Sequence, residues 1–363
     1  VTHTLSHPIK IRRFIPLLLV IFLPVGAFSA DLATMIDGIA KKEIETDGGV
    51  GMTIAIAKDD NIIYLKGYGL ANVELSVPAT AESVYRIGSI TKMFTAAGIL
   101  LLMEEGKLSL DDLLSKHLPE YPADPGDKIT IRHLLNHTSG LVNLTDLPDH
   151  REIMRDDLTH GEVLARFQDM PSLFAPGDQF RYCNSGYYLL GMIIENVSEL
   201  KYEPFLQERV LDPLDLKNTT YDRHLKIIPN RASGYGRWGD QLVNAPYVSM
   251  RTPFAAGALA STAEDLIRWT RALATDKLLQ ADSFKAMTTP GQLNSGKAIP
   301  YGFGCFVGKL DGHPYFHHGG GIPGFVTELV YFPEDELTVV VLTNAGRNSP
   351  KKIADQIARS ILN

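Results

Sequence analysis

The apolar positions of this chain change period four times. From Leu32 to Ile44, Leu32, Met35, Ile36, Ile39 and Ala40 fall on one face of a helix, with lysines and acids opposite. Asp47-Gly48-Gly49 ends that pattern. Val50 to Ala57 then reads as a strand, Lys58-Asp59-Asp60-Asn61 as a turn and Ile62 to Tyr68 as a second strand, a hairpin signal. From residue 89 to about residue 290, helical stretches alternate with loops rich in Pro, Gly and Asp. Ser89 to Glu105 is the first helix, stopped by Gly106, and Ser185 to Val197 is another. Ser261-Thr262-Ala263-Glu264 reads as a capping box ahead of Leu266, Ile267, Trp269 and Leu273. Strand patterns return at Gly302 to Val307, Phe325 to Phe332 and Leu337 to Leu342, and Ile353 to Leu362 closes the chain as a helix.

Strands at both ends with a helical block between them predict an α/β (α+β) fold. One antiparallel sheet is assembled from both chain ends and flanked by helices, with an all-α domain inserted. The expected division is a sheet domain of residues 31–88 plus 300–363 and a helical domain of residues 89–299. Residues 1–30 stand apart. Lys10, Arg12 and Arg13 form a basic start, Phe14 to Phe28 an apolar run broken by Pro16 and Pro24, and Ala27-Phe28-Ser29-Ala30 a small-residue cleavage site. The run is shorter than the roughly 20 residues of a spanning helix. The expectation is a signal peptide, a mature start at Ala30 or Asp31, an exported protein (periplasmic or secreted), and no stable membrane insertion after cleavage.

With 363 residues, 45% of them hydrophobic, the chain can bury a large core. The net charge is -7, and removing the basic start leaves the remainder more acidic. Such a surface argues against nucleic acid as a partner. The two cysteines, Cys183 and Cys305, both sit in apolar surroundings and read as buried thiols.

The chemistry starts from Gly88-Ser89-Ile90-Thr91-Lys92. On a helix Ser89 and Lys92 share one face, a turn apart. A desolvated, neutral lysine can take the proton of a serine hydroxyl, which is otherwise a weak nucleophile. S-x-x-K also occurs at Ser198/Lys201 and Ser349/Lys352. Ser349 precedes Pro350 and reads as a helix cap. Lys201 lies beside Glu195 and Glu199 and reads as a solvent-facing charge. Only Ser89 is flanked by apolar residues on both sides.

Two further constellations stand out. Tyr182-Cys183-Asn184 is the only Y-x-N among the fourteen tyrosines, and on an extended loop its outer side chains point the same way. His318-Gly319-Gly320-Gly321 lies directly before a predicted strand, and consecutive glycines let a ligand approach the backbone. His313 and His317 hint at metal ligation, but only Asp311 among acids is near, and no metal is expected. His137-Thr138-Ser139-Gly140 reads as a turn held by hydroxyl-to-backbone bonds. Neither G-x-S-x-G nor H-E-x-x-H occurs.

In that order, S-x-x-K at 89, Y-x-N at 182 and H-G-G at 318 resemble the three-part signature of the serine β-lactamase and penicillin-binding protein superfamily. The branch is the one holding class C β-lactamases, D-alanyl-D-alanine carboxypeptidases, D-aminopeptidases and family VIII carboxylesterases. The resemblance implies Ser89 as a nucleophile forming an acyl-enzyme, with Lys92 and Tyr182 sharing general-base and general-acid duty. It implies Asn184 as orienting Lys92 and the substrate, and backbone N–H groups of Ser89 and Gly321 as an oxyanion hole. No cofactor is implied. In class C β-lactamases the third motif is K-T-G, and here His318 and Gly319 replace its lysine and threonine. The expected activity is therefore on small esters, D-amino-acid peptides or amides, with His318 meeting a substrate carboxylate only when protonated. A weak class C-type β-lactamase and a non-catalytic penicillin- or cell-wall-peptide-binding protein are the alternatives. Which of Lys92 and Tyr182 removes the serine proton, and the oligomeric state, stay open.

Overall fold

The computed structural model describes residues 25–45, 48–59, 61–346 and 349–363, with side chains from residue 30 onward. Most of the expected signal segment, with Asp47 and Asp60 of the expected turns, lies outside the described residues.

The sheet has seven antiparallel strands: β1 (Gly51–Lys58), β2 (Asn61–Asn72), β3 (Val77–Pro78), β4 (Phe306–Leu310), β5 (His313–Ile322), β6 (Phe325–Phe332) and β7 (Leu337–Thr343). Their spatial order is β3-β2-β1-β7-β6-β5-β4, so β1 from the start of the chain pairs with β7 from its end. This is the two-ended sheet that the sequence predicts. The strand period of two sorts its residues between faces. Ile54 and Ile56 of β1 and Val339 and Val341 of β7 face an outer layer made by α1 (Val25–Glu45) and the closing helix α5 (Pro350–Leu362). Ala55, Ala57, Val340 and Leu342 face inward, onto α2 (Thr91–Glu104) and α4 (Ala263–Ala274). The inner apolar cluster continues without a break into the helical block, through α3 (Asn184–Ser198) and the short helices around it.

Helix α2 has almost no polar face: Thr91 to Leu100 are all buried. A helix apolar on every side belongs at the centre of a molecule. Here the sheet lies on one side of it and α3 with the Phe254–Ala256 turn on the other.

Three details depart from the sequence reading. His318 to Gly321 do lie before the expected strand, β6, but they are not a loop. They are the C-terminal half of β5, an additional strand between β4 and β6. The expected strand Gly302 to Val307 is shifted to Phe306–Leu310. The cap of α4 is Thr262, whose side chain accepts from Asp265 N–H at 3.2 Å, while Ser261 belongs to a small sheet and bonds to Thr219.

Candidate active site

Ser89 is placed by the backbone before it. Tyr85–Arg86 pairs with Leu259–Ser261, and Ile87 N–H donates to Leu259 O at 2.9 Å. Gly88 then takes φ +50, a conformation that disfavours side chains, and a 3-10 turn over Gly88–Ile90 leads into α2. The turn packs against the glycine strand. A Cβ on Gly88 would sit 2.9 Å from Gly321 N, and one on Gly320 would sit 2.0 Å from Ile87 O. The run of glycines therefore lets β5 lie against the serine turn. Gly321 N faces that turn rather than β6, as ladder alternation requires beside the closing pair Ile322 and Phe325 of a two-residue hairpin.

Lys92, one turn on, is completely buried. Its Nζ lies 3.0 Å from Ser89 Oγ and donates to Asn184 Oδ1 and Ala256 O, each at 2.8 Å. Burial drives its pKa well below the ordinary lysine value. A neutral amine has two N–H bonds and one lone pair. The two carbonyl oxygens take the N–H bonds, which leaves the lone pair for the serine proton. Asn184 is held in turn: its N–H donates to Asn143 Oδ1 at 2.8 Å and its Nδ2 to Thr145 Oγ1 at 3.1 Å.

Tyr182 covers the lysine, with Lys92 Nζ 4.9 Å from its ring centroid. Its buried hydroxyl has no partner in good hydrogen-bond geometry. Ser89 is nonetheless near enough to pull its pKa down, against the larger upward push of burial. His137, at φ +61, lies under the tyrosine with ring centroids 4.2 Å apart. Its Nδ1 accepts the Cys183 N–H at 3.1 Å, which fixes the Y-x-N backbone. In the turn that follows, Ser139 Oγ accepts the Leu141 N–H at 3.4 Å, a hydroxyl-to-backbone bond as expected, while Thr138 Oγ1 donates to a side chain, Asn136 Oδ1, at 2.6 Å. His137 adds a supporting role that the turn reading did not contain.

His318 does not do what its motif suggests. It is buried, its Nε2 is 3.0 Å from Tyr301 OH and its Nδ1 2.6 Å from Gly319 O. Burial, reinforced by Lys92, lowers its pKa to about 3. An anchor that meets carboxylates when protonated needs an exposed ring that titrates near neutrality, and His318 is neither. The pocket beside Ser89 has a cavity of about 120 Å³, walled by apolar side chains including Leu144, Met154, Val248 and Ile322. Ser89, Asn184 and Gly321 line it, whereas Lys92, Tyr182, His318, Gly319 and Gly320 lie behind or beside it. Among the described residues, no lysine or arginine lines it. Arg251 lies on a separate cleft with Asp157 and Glu195.

The remaining motifs resolve into structure. Ser198 Oγ donates to Ile194 O, and Lys201 is an exposed partner of Glu195. Ser349 stands at the start of α5 with Pro350 next, but makes no side-chain cap bond. His313 and His317 pair separately with Asp335 and Glu328, at 2.8 and 2.6 Å. Cys183 and Cys305 are free and buried. Sequence reasoning missed Tyr301, Asn143, Thr145 and the Ala256 carbonyl. The first three carry no motif, and a backbone oxygen has no residue signature at all.

Comparison with known proteins gives the same assignment as the motifs. The family model described as Beta-lactamase matches residues 36–362. Penicillin-binding protein 4* of Bacillus subtilis (strain 168) is 30% identical over 313 residues, covering 80% of this chain and 67% of its own length. The octameric penicillin-binding protein homologue from Pyrococcus abyssi is 30% identical with a TM-score of 0.78, covering 92% of this chain and 77% of that one. D-amino acid amidase from Ochrobactrum anthropi SV3 is 26% identical with a TM-score of 0.80, covering 92% and 99%. A match along nearly the whole chain, on a sheet and helical block of the same architecture, establishes that this chain belongs to the β-lactamase family, within its superfamily of serine hydrolases.

Proposed function

We propose that the protein is an exported serine hydrolase that acylates Ser89 with small esters and D-amino-acid amides or peptides. The observation that carries this reading is the buried Lys92, 3.0 Å from Ser89 Oγ, with both its other polar contacts on carbonyl oxygens. In the proposed reaction Ser89 Oγ attacks the substrate carbonyl carbon and its proton passes to the Lys92 lone pair. The oxygen that gains charge is met by the N–H groups of Ser89 and Gly321, each such donor contributing about 3 kcal/mol. Burial favours the phenol form of Tyr182 over the phenolate, so Lys92 is the base. Tyr182 then helps deliver the proton to the leaving group. Water attacks the ester on Ser89 by the same steps in reverse and releases the acid. A non-catalytic binding protein has no use for an amine desolvated against a serine.

The substrate class follows from the pocket walls. A β-lactam or a D-alanyl peptide brings a carboxylate near the scissile bond, and no cationic side chain among the described residues lines this pocket. Similarity to a D-amino acid amidase supports the neutral-substrate reading. The test is kcat/KM for D-phenylalanine amide, short esters and a cephalosporin, each with wild type and Ser89→Ala. The neutral substrates are expected to lead by about 100-fold, a loss of two charge-assisted contacts. For a matched carboxylate and methyl-ester pair, the ratio stays flat from about pH 5.5 to 8.5, because His318 is neutral throughout. A cephalosporin preference, or a ratio that falls as pH rises, contradicts this reading. Export is inferred from the basic and apolar pattern of residues 1–30. Its check is the N-terminus of protein recovered from the native host, expected at Ala30 or Asp31.

A further inference from the structure

Every polar side chain that lines the Ser89 pocket has a hydrogen-bond partner among the described residues, with one exception. Thr145 Oγ1 accepts from Asn143 Nδ2 at 2.8 Å and from Asn184 Nδ2 at 3.1 Å. Asn184 Oδ1 is taken by Lys92. Tyr188 OH is bonded to His160 Nδ1 at 2.8 Å, and Thr252 Oγ1 donates to Ile153 O at 3.3 Å. The exception is His150. Its Nδ1 is sealed from solvent without a partner, and neither ring nitrogen bonds to a described residue. The backbone that carries the ring is held in place, because His150 opens the short helix His150–Ile153 and its N–H donates to Leu147 O at 3.1 Å.

We propose that His150 is a specificity-determining residue that accepts a hydrogen bond from the α-amino group on the acyl part of the substrate. The proposal rests on acylation of Ser89 and adds what that acyl group must carry. The enclosed part of the substrate is the acyl part, since the leaving group has to depart. Burial disfavours protonation of the His150 ring, so it keeps a lone pair to accept with. Asp146 and Asp149 lie close enough to act on the ring by their charge. Both carboxylates are tied to exposed arginines, Arg181 and Arg166, which keeps them from folding into the pocket themselves. Leu144, Met154 and Val248 then receive the apolar side chain of the amino acid. The ring nitrogen that meets the amine is Nε2, which has no partner among the described residues and, unlike Nδ1, is not sealed from solvent.

The test compares D-phenylalanine p-nitroanilide with its 3-phenylpropionyl analogue, which lacks only the amine, and with its N-acetyl derivative. Wild type is expected to prefer the free amine over both. His150→Leu is expected to lower kcat/KM for the amine substrate about 10-fold or more, mainly through KM, while changing the des-amino substrate less than about 3-fold. His150→Gln, which restores an acceptor, recovers much of the loss. Equal losses on both substrates, or a wild-type preference for the N-acetyl or des-amino compound, overturn the proposal. In either case Ser89-dependent turnover of the des-amino compound leaves the acylation reading standing. No Ser89-dependent turnover of any of the three overturns both.

Discussion

Lys92→Met is expected to lower kcat about 100- to 10,000-fold, the range for loss of a general acid–base group. It is also expected to change how stability depends on pH. Folding depresses the lysine pKa, so the unfolded chain binds a proton that the folded chain has released. Between the lowered folded pKa and the ordinary value of about 10.4, the unfolded state holds more protons, and stability rises with pH. Below that window the wild type bears the full cost of a buried ammonium. Methionine has similar length and no proton to lose. The stability of wild type relative to Lys92→Met should therefore increase as pH is raised from neutrality towards about 10. The measurement is denaturant unfolding of both proteins across that range. A constant or falling difference means that Lys92 is not the desolvated amine described here. Asn184 Oδ1 and Ala256 O lose their donor in the variant, which shifts the difference by a pH-independent amount and leaves its slope intact.

Gly320→Ala is expected to cost about 3 kcal/mol or more, at or above the upper end for forcing an atom into a packed site. Its Cβ would lie 2.0 Å from Ile87 O and 2.3 Å from Thr327 Oγ1, and the first of these is backbone that cannot rotate away. The relief is to push the Ile87–Ser89 turn off β5, so kcat falls along with stability. The neighbouring Gly321→Ala is the control. Nothing lies within 4 Å of its Cβ and its φ is not left-handed, so the melting temperature should hold. Its substituent faces open space at the pocket edge, so any effect should appear in KM. Thermal unfolding and kinetics of the two variants decide the matter. If Gly320→Ala folds as stably as Gly321→Ala, the close approach of strand and turn is wrong.

These residues also show what was legible in the sequence. Ser89 was separable from Ser198 and Ser349 because apolar residues surround it. The same feature, an α2 buried from Thr91 to Leu100, desolvates Lys92. The two-ended sheet was legible because β1, β2, β6 and β7 have strong strand composition and period. β5 was not, because three glycines and a proline have low strand propensity and its pairing is imposed by β4 and β6 on either side. The misreading of His318 has the same origin. Treated as loop, His318 could reach a substrate. Within a strand, the alternation of faces sends it inward to Tyr301, seventeen residues before it. His150 and Thr145 were invisible because nothing local marks them. They reach the pocket through the loop that also carries Asn143, on the far side of α2 from the sheet.

The most direct test of the central claim is covalent. Purified protein treated with a fluorophosphonate or a labelled penicillin, digested and mapped by mass spectrometry, should carry a single adduct on Ser89, lost in Ser89→Ala and slowed in Lys92→Met. An adduct on Ser139, Ser198 or Ser349, or one on Ser89 that forms as fast without Lys92, would contradict the assignment of Ser89 as a nucleophile activated by a buried neutral lysine.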